Sequence, residues 1–215
     1  MMRFAGKLVA ALTCALACSQ ALAGRQPEWS AEVLIGDAFN LTSRTHIHNV
    51  QVSPAAFGGD YETRGFEGPL HYAWRLTRWD RDRGWELQLL HHKLYLRNRP
   101  AAVEALSISH GFNIVTLGRA YARGPWRLRF GLGPVIAHPE ARIAGVSYPG
   151  GYELAGAAAL GSVGALLSLT PRWSAVGEIV ATFGYADVHP GGEPDLRFSV
   201  RNPALHAQFG ISYRF

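Results

Sequence analysis

The stretch that most restricts how this chain can fold is its last, Leu205 to Phe215. Leu205, Ala207, Phe209, Ile211, Tyr213 and Phe215 fall on one face of an extended strand, and His206, Gln208, Gly210, Ser212 and Arg214 fall on the other. The same two-residue period returns upstream. Leu70, Tyr72, Trp74 and Leu76 oppose His71, Ala73, Arg75 and Thr77, and Trp126, Leu128, Phe130 and Leu132 oppose Arg127, Arg129, Gly131 and Gly133. One such strand fits any sheet, so the segments between them decide the architecture.

Taken in order, the pattern predicts eight strands. They are Trp29–Phe39, Leu70–Thr77, Trp85–Tyr95, Leu106–Tyr121, the run from Trp126, Tyr152–Leu169, the run from Trp173 to Tyr185, and the closing strand. Tight turns (Asp80 to Gly84, Arg123 to Pro125, Thr170 to Arg172) alternate with longer loops (Asn40 to Pro69, Arg97 to Ala105, His138 to Gly151, Asp187 to Phe198). No apolar run reaches the ~20 residues of a membrane helix. Eight strands of ~10 residues with short turns on one side suit a transmembrane barrel.

A chain ending Tyr213-Arg214-Phe215 on this pattern resembles the closing strand of bacterial outer-membrane barrels, in which the terminal Phe is part of the assembly signal. That resemblance implies the barrel-assembly machinery as a partner. The expected fold is therefore all-β, an eight-stranded antiparallel transmembrane β-barrel of the bacterial outer membrane spanning residues 24–215. Trp79, Trp85, Trp126 and Trp173 all flank short turns and are expected in one interfacial girdle. Arg75, Glu86, Arg127, Arg129, Glu178 and Arg214 fall on the inward face. In so narrow a lumen they predict a structural ion-pair network rather than a pore.

Residues 1–23 read as a cleaved signal peptide, with Arg3 and Lys7 before the apolar Leu8–Cys18 and a small-x-small site at Ala21-Leu22-Ala23. Cleavage there removes Cys14 and Cys18, leaving a mature chain without thiols. The rival reading, lipoprotein processing at Cys18, lacks the usual Leu three residues earlier. Without Arg3 and Lys7 the formal charge of +5 falls to +3, a mild basicity suited to phosphorylated headgroups. No nucleic-acid partner is expected.

A tilted strand climbs ~2.5 Å per residue, so ~10 residues cross the ~25 Å apolar band. Counting from Trp85 puts His91, Lys93 and Tyr95 at the outer edge of that band, with His110, Asn113 and His138 at similar heights on neighbouring strands. If the parity of Trp85, Leu87 and Leu89 continues, His91 and Lys93 face lipid, as does His110 beside Ile108 and Phe112. Two readings stand: hydrated side chains above the apolar band, or a headgroup site with imidazoles as metal ligands or proton carriers and Lys93 on a phosphate.

The segments Glu86–Tyr95 (ELQLLHHKLY), Ser107–Leu117 (SISHGFNIVTL), Val135–Glu140 (VIAHPE) and Gly151–Gly156 (GYELAG) resemble the central part of the rhizobial lipid A oxidase and its relatives. The resemblance runs from about Leu70 to Leu169. It implies an outer-membrane enzyme that uses molecular oxygen to oxidise the proximal glucosamine of lipid A, the glycolipid of lipopolysaccharide. Its motifs match here at His91, Lys93, Tyr95, Asn113, His138 and Glu140.

No Gly-rich dinucleotide loop is present and no mature cysteine is left for an iron-sulfur cluster. Oxygen chemistry would then fall to a divalent metal, with His91, His138 and Glu140 as ligands. The catalytic candidates are His91, Lys93, Tyr95, His110 and Asn113. Two other functions stay open, a non-enzymatic anchoring or adhesive barrel and a lipid A deacylase using Ser107 or Ser109 with His110. His46 and His48, two imidazoles on one side of an extended segment, are expected to be solvated.

Overall fold

A computed structural model describes residues 28–49 and 55–215. The expected signal peptide, its cleavage site and both cysteines lie outside the described residues. Eight strands form the wall: β1 (Glu28–Asn40), β2 (Tyr72–Asp80), β3 (Arg83–Leu96), β4 (Val103–Arg123), β5 (Trp126–Ala137), β6 (Glu153–Ser168), β7 (Trp173–Val188) and β8 (Leu196–Arg214). Each pairs antiparallel with the next, and β8 returns to β1 in unbroken register from Ser30↔Arg214 to Asn40↔Ala204. Closure gives each of the eight wall strands a partner on both sides, as a lipid-embedded sheet requires.

The alternation sorts side chains as the sequence implies. Val33, Leu87, Leu117, Phe130, Ile179 and Phe209 stand exposed on the outer wall, while the interior fills in layers. In the short-turn half, Arg75 donates to both Glu32 (3.1 Å) and Glu178, and Arg129 bridges Glu32 (3.0 Å), Glu86 (3.0 Å) and Glu178 (3.3 Å). Thr77 and Ser162 donate to the same carboxylates. Glu32 joins this network although sequence periodicity did not single it out. Arg214 sits at the rim instead, half exposed and 3.6 Å from Glu28. Towards the long loops the interior turns apolar, with Leu94, Ile108, Phe112, Phe198 and Val200 buried together.

Two expectations need correction. Trp79 does not join the girdle: its parity on β2 matches Arg75 and Thr77, so the ring enters the lumen, 8% exposed. There its indole N–H donates to Ser30 (2.8 Å) and the Arg127 guanidinium lies over it at 5.5 Å. Trp29, on the outer face of β1, stands among the exposed tryptophans with Trp85, Trp126 and Trp173. The segment from Asn40 to Pro69 is also not simply a loop. Ser43–Asn49 extends the sheet beside β8, Ala55–Gly59 pairs with it, and Tyr61–Glu62 bridges β1 and β3.

That bridge creates an interruption in the wall. Below it, β2 lies between β1 and β3 up to Ile35↔Tyr72↔His91; above it, Tyr61–Glu62 takes the same place at Phe39↔Glu62↔Tyr95. Between these pairings residues 63–71 leave the sheet as an excursion, tied to β1 where Gly65 N–H donates to Asp37 (3.0 Å) and Gly36 N–H to the His71 carbonyl (3.2 Å). A side chain on Gly65 would run into the Gly36 carbonyl, so the excursion can approach β1 this closely only through a glycine.

Candidate functional site

His91 continues the outward parity of Trp85, Leu87 and Leu89 on β3, roughly 23 Å above the β2–β3 turn and so near the outer limit of the apolar band. Its ring stacks on Tyr72 of β2 at 4.8 Å. Its Nδ1 lies 2.7 Å from the carbonyl oxygen of Asn113 on β4, an acceptor, so Nδ1 carries the proton. Nε2, buried and without a partner, is left with its lone pair free.

Two residues on, Lys93 occupies the interruption in the wall. It is fully buried, and its ammonium donates to the carbonyls of Arg64 (2.6 Å) and Glu67 (2.8 Å) in the excursion. Two of its three donors are therefore engaged by backbone rather than pointing at a ligand. Tyr95 follows on the same face, with the Arg64 guanidinium over its ring at 4.5 Å.

His110 reaches the outer wall by a route the sequence pattern does not contain. Ile108 and Phe112, expected beside it on the lipid face, are both buried inward. On β4, Phe112 pairs with His92 and Ile108 with Leu94, so β4 carries two extra residues across Ser109–Gly111. This bulge turns His110 out, and it depends on Gly111, whose φ of 134° is disallowed for other residues. An alanine here would also collide with the Asn113 amide. Gly111→Ala is expected to destabilise the barrel by more than about 1 kcal/mol and to release His91 from Asn113. Equilibrium urea unfolding and the histidine ring NMR signals check the two effects.

His138 follows β5 and Glu140 opens the short strand Glu140–Ile143, which pairs with β4. Glu140 lies 3.3 Å from His110 Nδ1 and 3.8 Å from His138 Nδ1, and the two imidazole rings are 4.9 Å apart. Tyr152 packs edge-on to His138 at 4.8 Å and donates to the His110 carbonyl (3.1 Å). His110, His138 and Glu140 each offer a ligand atom within 4.8 Å of the others. The compact set of three thus contains His110, whereas the sequence pointed to His91, which is engaged by Asn113 and Tyr72. His138 Nδ1 is buried and without a hydrogen bond, an atom poised for a further partner.

All the expected residues, His91, Lys93, Tyr95, His110, Asn113, His138 and Glu140, lie on the long-loop half of strands β3 to β5 and the segment after them. Periodicity missed Tyr72, Asp37, Arg64, Glu67 and Tyr152, four of which reach the site from loops or a strand end. A hydrolytic triad finds no support in the geometry. Ser109 Oγ (3.3 Å) and Glu140 Oε1 (3.3 Å) both approach the same Nδ1 of His110, whereas a triad needs nucleophile and acid on opposite ring nitrogens. His46 and His48 stack at 6.2 Å in the Ser43–Asn49 strand, away from this cluster.

No family model and no curated protein sequence matches the chain. Among solved structures, Ail, the attachment invasion locus protein of Yersinia pestis, is 14% identical over 87% of this chain and 99% of its own, with a TM-score of 0.41. The outer membrane protein AlkL is 12% identical over 88% and 90%, with a TM-score of 0.48, and Neisserial surface protein A is 8% identical over 88% and 97%, with a TM-score of 0.41. Such distant likeness concerns the fold alone. The register of the eight strands carries the fold by itself, and a closed backbone with an apolar exterior and a charged, filled interior is built to sit in lipid. The chain is an eight-stranded antiparallel transmembrane β-barrel.

Proposed function

We propose that the outer-wall site takes the head group of lipid A in the outer leaflet and oxidises its proximal glucosamine. The carrying observation is the cluster of His110, His138 and Glu140 on the long-loop half of the barrel, with His91 bound to Asn113 on the outward parity of β3; these side chains would stand near the height of the headgroups, where an ordinary barrel has no use for them. The segment resemblance around the same residues points to the same substrate.

The reaction would break the C–H and O–H bonds of the anomeric hemiacetal to leave the lactone, which water opens to the acid, while molecular oxygen takes the two electrons and two protons and departs as hydrogen peroxide. His91 is set up as proton acceptor, because Asn113 holds its proton on Nδ1 and leaves Nε2 free. The Arg64 guanidinium, about half exposed above Tyr95 and paired with Glu62, would exchange that carboxylate for a lipid phosphate, with Lys93 holding the loop in place. His110, His138 and Glu140 would hold a divalent ion, for which the unpartnered His138 Nδ1 and the mixed imidazole and carboxylate donors fit. Such an ion would supply a path for electrons to oxygen.

Mass spectrometry of lipid A from cells carrying the wild-type barrel is expected to show the oxidised sugar. His138→Ala and His91→Ala are expected to lower that product by at least about 100-fold, as for loss of a proton carrier or ligand. Unmodified lipid A in cells whose outer membrane contains the folded wild type, with oxygen and metal supplied, overturns the reading and leaves a non-enzymatic barrel.

A further inference from the structure

A second group of histidines lies inside the barrel, behind the interruption in the wall. His71 ends the excursion, His92 faces inward from β3, and His206 faces inward from β8. All three are fully buried, and each brings a ring nitrogen within 4.8 Å of the other two. Their rings lie 4.8 to 5.6 Å apart, centroid to centroid.

The hydrogen bonds around them fix part of the proton arrangement. His92 Nε2 lies 2.9 Å from Asn40 Oδ1 and 3.1 Å from Asn202 Oδ1. Both are carbonyl oxygens, since Asn40 donates its own amide to Thr63 (2.9 Å) and Asn202 donates to Asn40 (2.8 Å). His92 Nε2 must therefore be the donor, and His92 Nδ1 keeps an unshared pair that meets no partner. The Thr182 hydroxyl donates to His206 Nε2 (2.8 Å), so His206 Nδ1 donates to His71 Nε2 (3.3 Å), which also accepts from the Gln208 amide (3.1 Å); an ion bound between the two rings would take the place of that shared proton. Two nitrogens about 3.3 Å apart match the spacing of two ligands on one tetrahedral ion with metal–nitrogen bonds of about 2.05 Å. His71 Nδ1 is a further buried nitrogen with no hydrogen bond.

We propose that His71, His92 and His206 form a metal site in the lumen for a late first-row transition ion, copper or zinc. Three imidazoles with no carboxylate among them reject hard ions such as magnesium and calcium and favour the borderline end of the series, where copper binds tightest. The outer partners of the rings, Asn40, Asn202 and Thr182, do what second-sphere groups do at metal sites: they hold the tautomer and the ring plane. An entry path follows from the fold. His71 belongs to the excursion that Lys93 pins over the wall, so opening that segment uncovers the site from the side without unpairing a continuous strand. The site is separate from the outer-wall trio and stands or falls independently of lipid A oxidation.

The test uses full-length protein purified from outer membranes in detergent, carrying His110→Ala and His138→Ala so that the outer wall contributes no ion. After loading with Cu(II) or Zn(II) and washing with chelator, elemental analysis is expected to find about one ion per barrel. Pulsed EPR of the copper form is expected to show imidazole nitrogens from the three rings. Adding His92→Leu is expected to lower retention at least about tenfold in protein that still migrates as a folded barrel on unheated gels. The proposal fails if the folded parent retains no ion, or if folded His92→Leu retains as much as the parent. Should His92→Leu not fold, the EPR spectrum of the parent decides, and fewer than two coordinated imidazoles overturns the site.

Discussion

Glu178→Ala is expected to cost the barrel about 3–5 kcal/mol, the range for breaking a buried ion pair by removing one partner. Glu178 accepts from Arg75 and Arg129 and from Ser162, and all the charged groups involved are buried. Its removal leaves Arg75 with Glu32 as its one ion-pair partner among the described residues and its Nε already without a hydrogen bond. The loss is a desolvated guanidinium left short of countercharge rather than merely a lost attraction. Urea unfolding of the refolded barrel, followed by tryptophan fluorescence, reads the change directly. Glu178→Gln keeps the volume but not the charge and is expected to be equally harmful within about 1 kcal/mol. A drop below about 1 kcal/mol for both variants would show that water enters the lumen and solvates Arg75.

Lys93→Met is expected to detach residues 63–71 from the wall. The ammonium makes two charge-assisted hydrogen bonds to the carbonyls of Arg64 and Glu67, each worth about 1.5–3 kcal/mol. Methionine fills the gap in the wall but donates nothing, so the two carbonyls must find water or stay unpaired. Losing about 3 kcal/mol of local stability raises the open population of the excursion about 100-fold. Limited trypsin digestion after Arg64 measures this, because cleavage of a segment that opens and closes rapidly follows its open population. Unchanged cleavage in folded Lys93→Met would mean that the bonds of Gly65 to Asp37 and of Gly36 to the His71 carbonyl secure the segment without Lys93. In the proposed reading Lys93 would act on a headgroup through Arg64, a positioning role in place of the direct phosphate contact its sequence position suggested.

These two residues illustrate how differently parts of this protein were legible. Alternation alone located the eight strands and most of the inward charges, though not Glu32 and wrongly Arg214, because a two-residue period has one solution once the exterior is apolar. It also brought His91 to the outer wall at the right height, since no bulge intervenes between Trp85 and His91. The inward faces of His71, His92 and His206 were equally readable from parity. Their convergence was not, because strands far apart in the chain become neighbours across a lumen only when the sheet closes and its shear is set.

Three features belonged to the tertiary structure alone. Trp79 enters the lumen because one residue of register outweighs the preference of tryptophan for the membrane interface, and Ser30 and Arg127 give it polar partners there. His110 turns outward through the bulge at Gly111, an insertion that periodicity reads as continuous strand. The interruption at residues 63–71 exists because Tyr61–Glu62 and Tyr72–Asp80 share one place in the wall. The sequence by itself determined a closed barrel with a polar lumen and a titratable rim, since strand parity is a local property of the chain. Which of those groups touch was decided by bulges, closure and the wall break, which depend on pairing between distant segments.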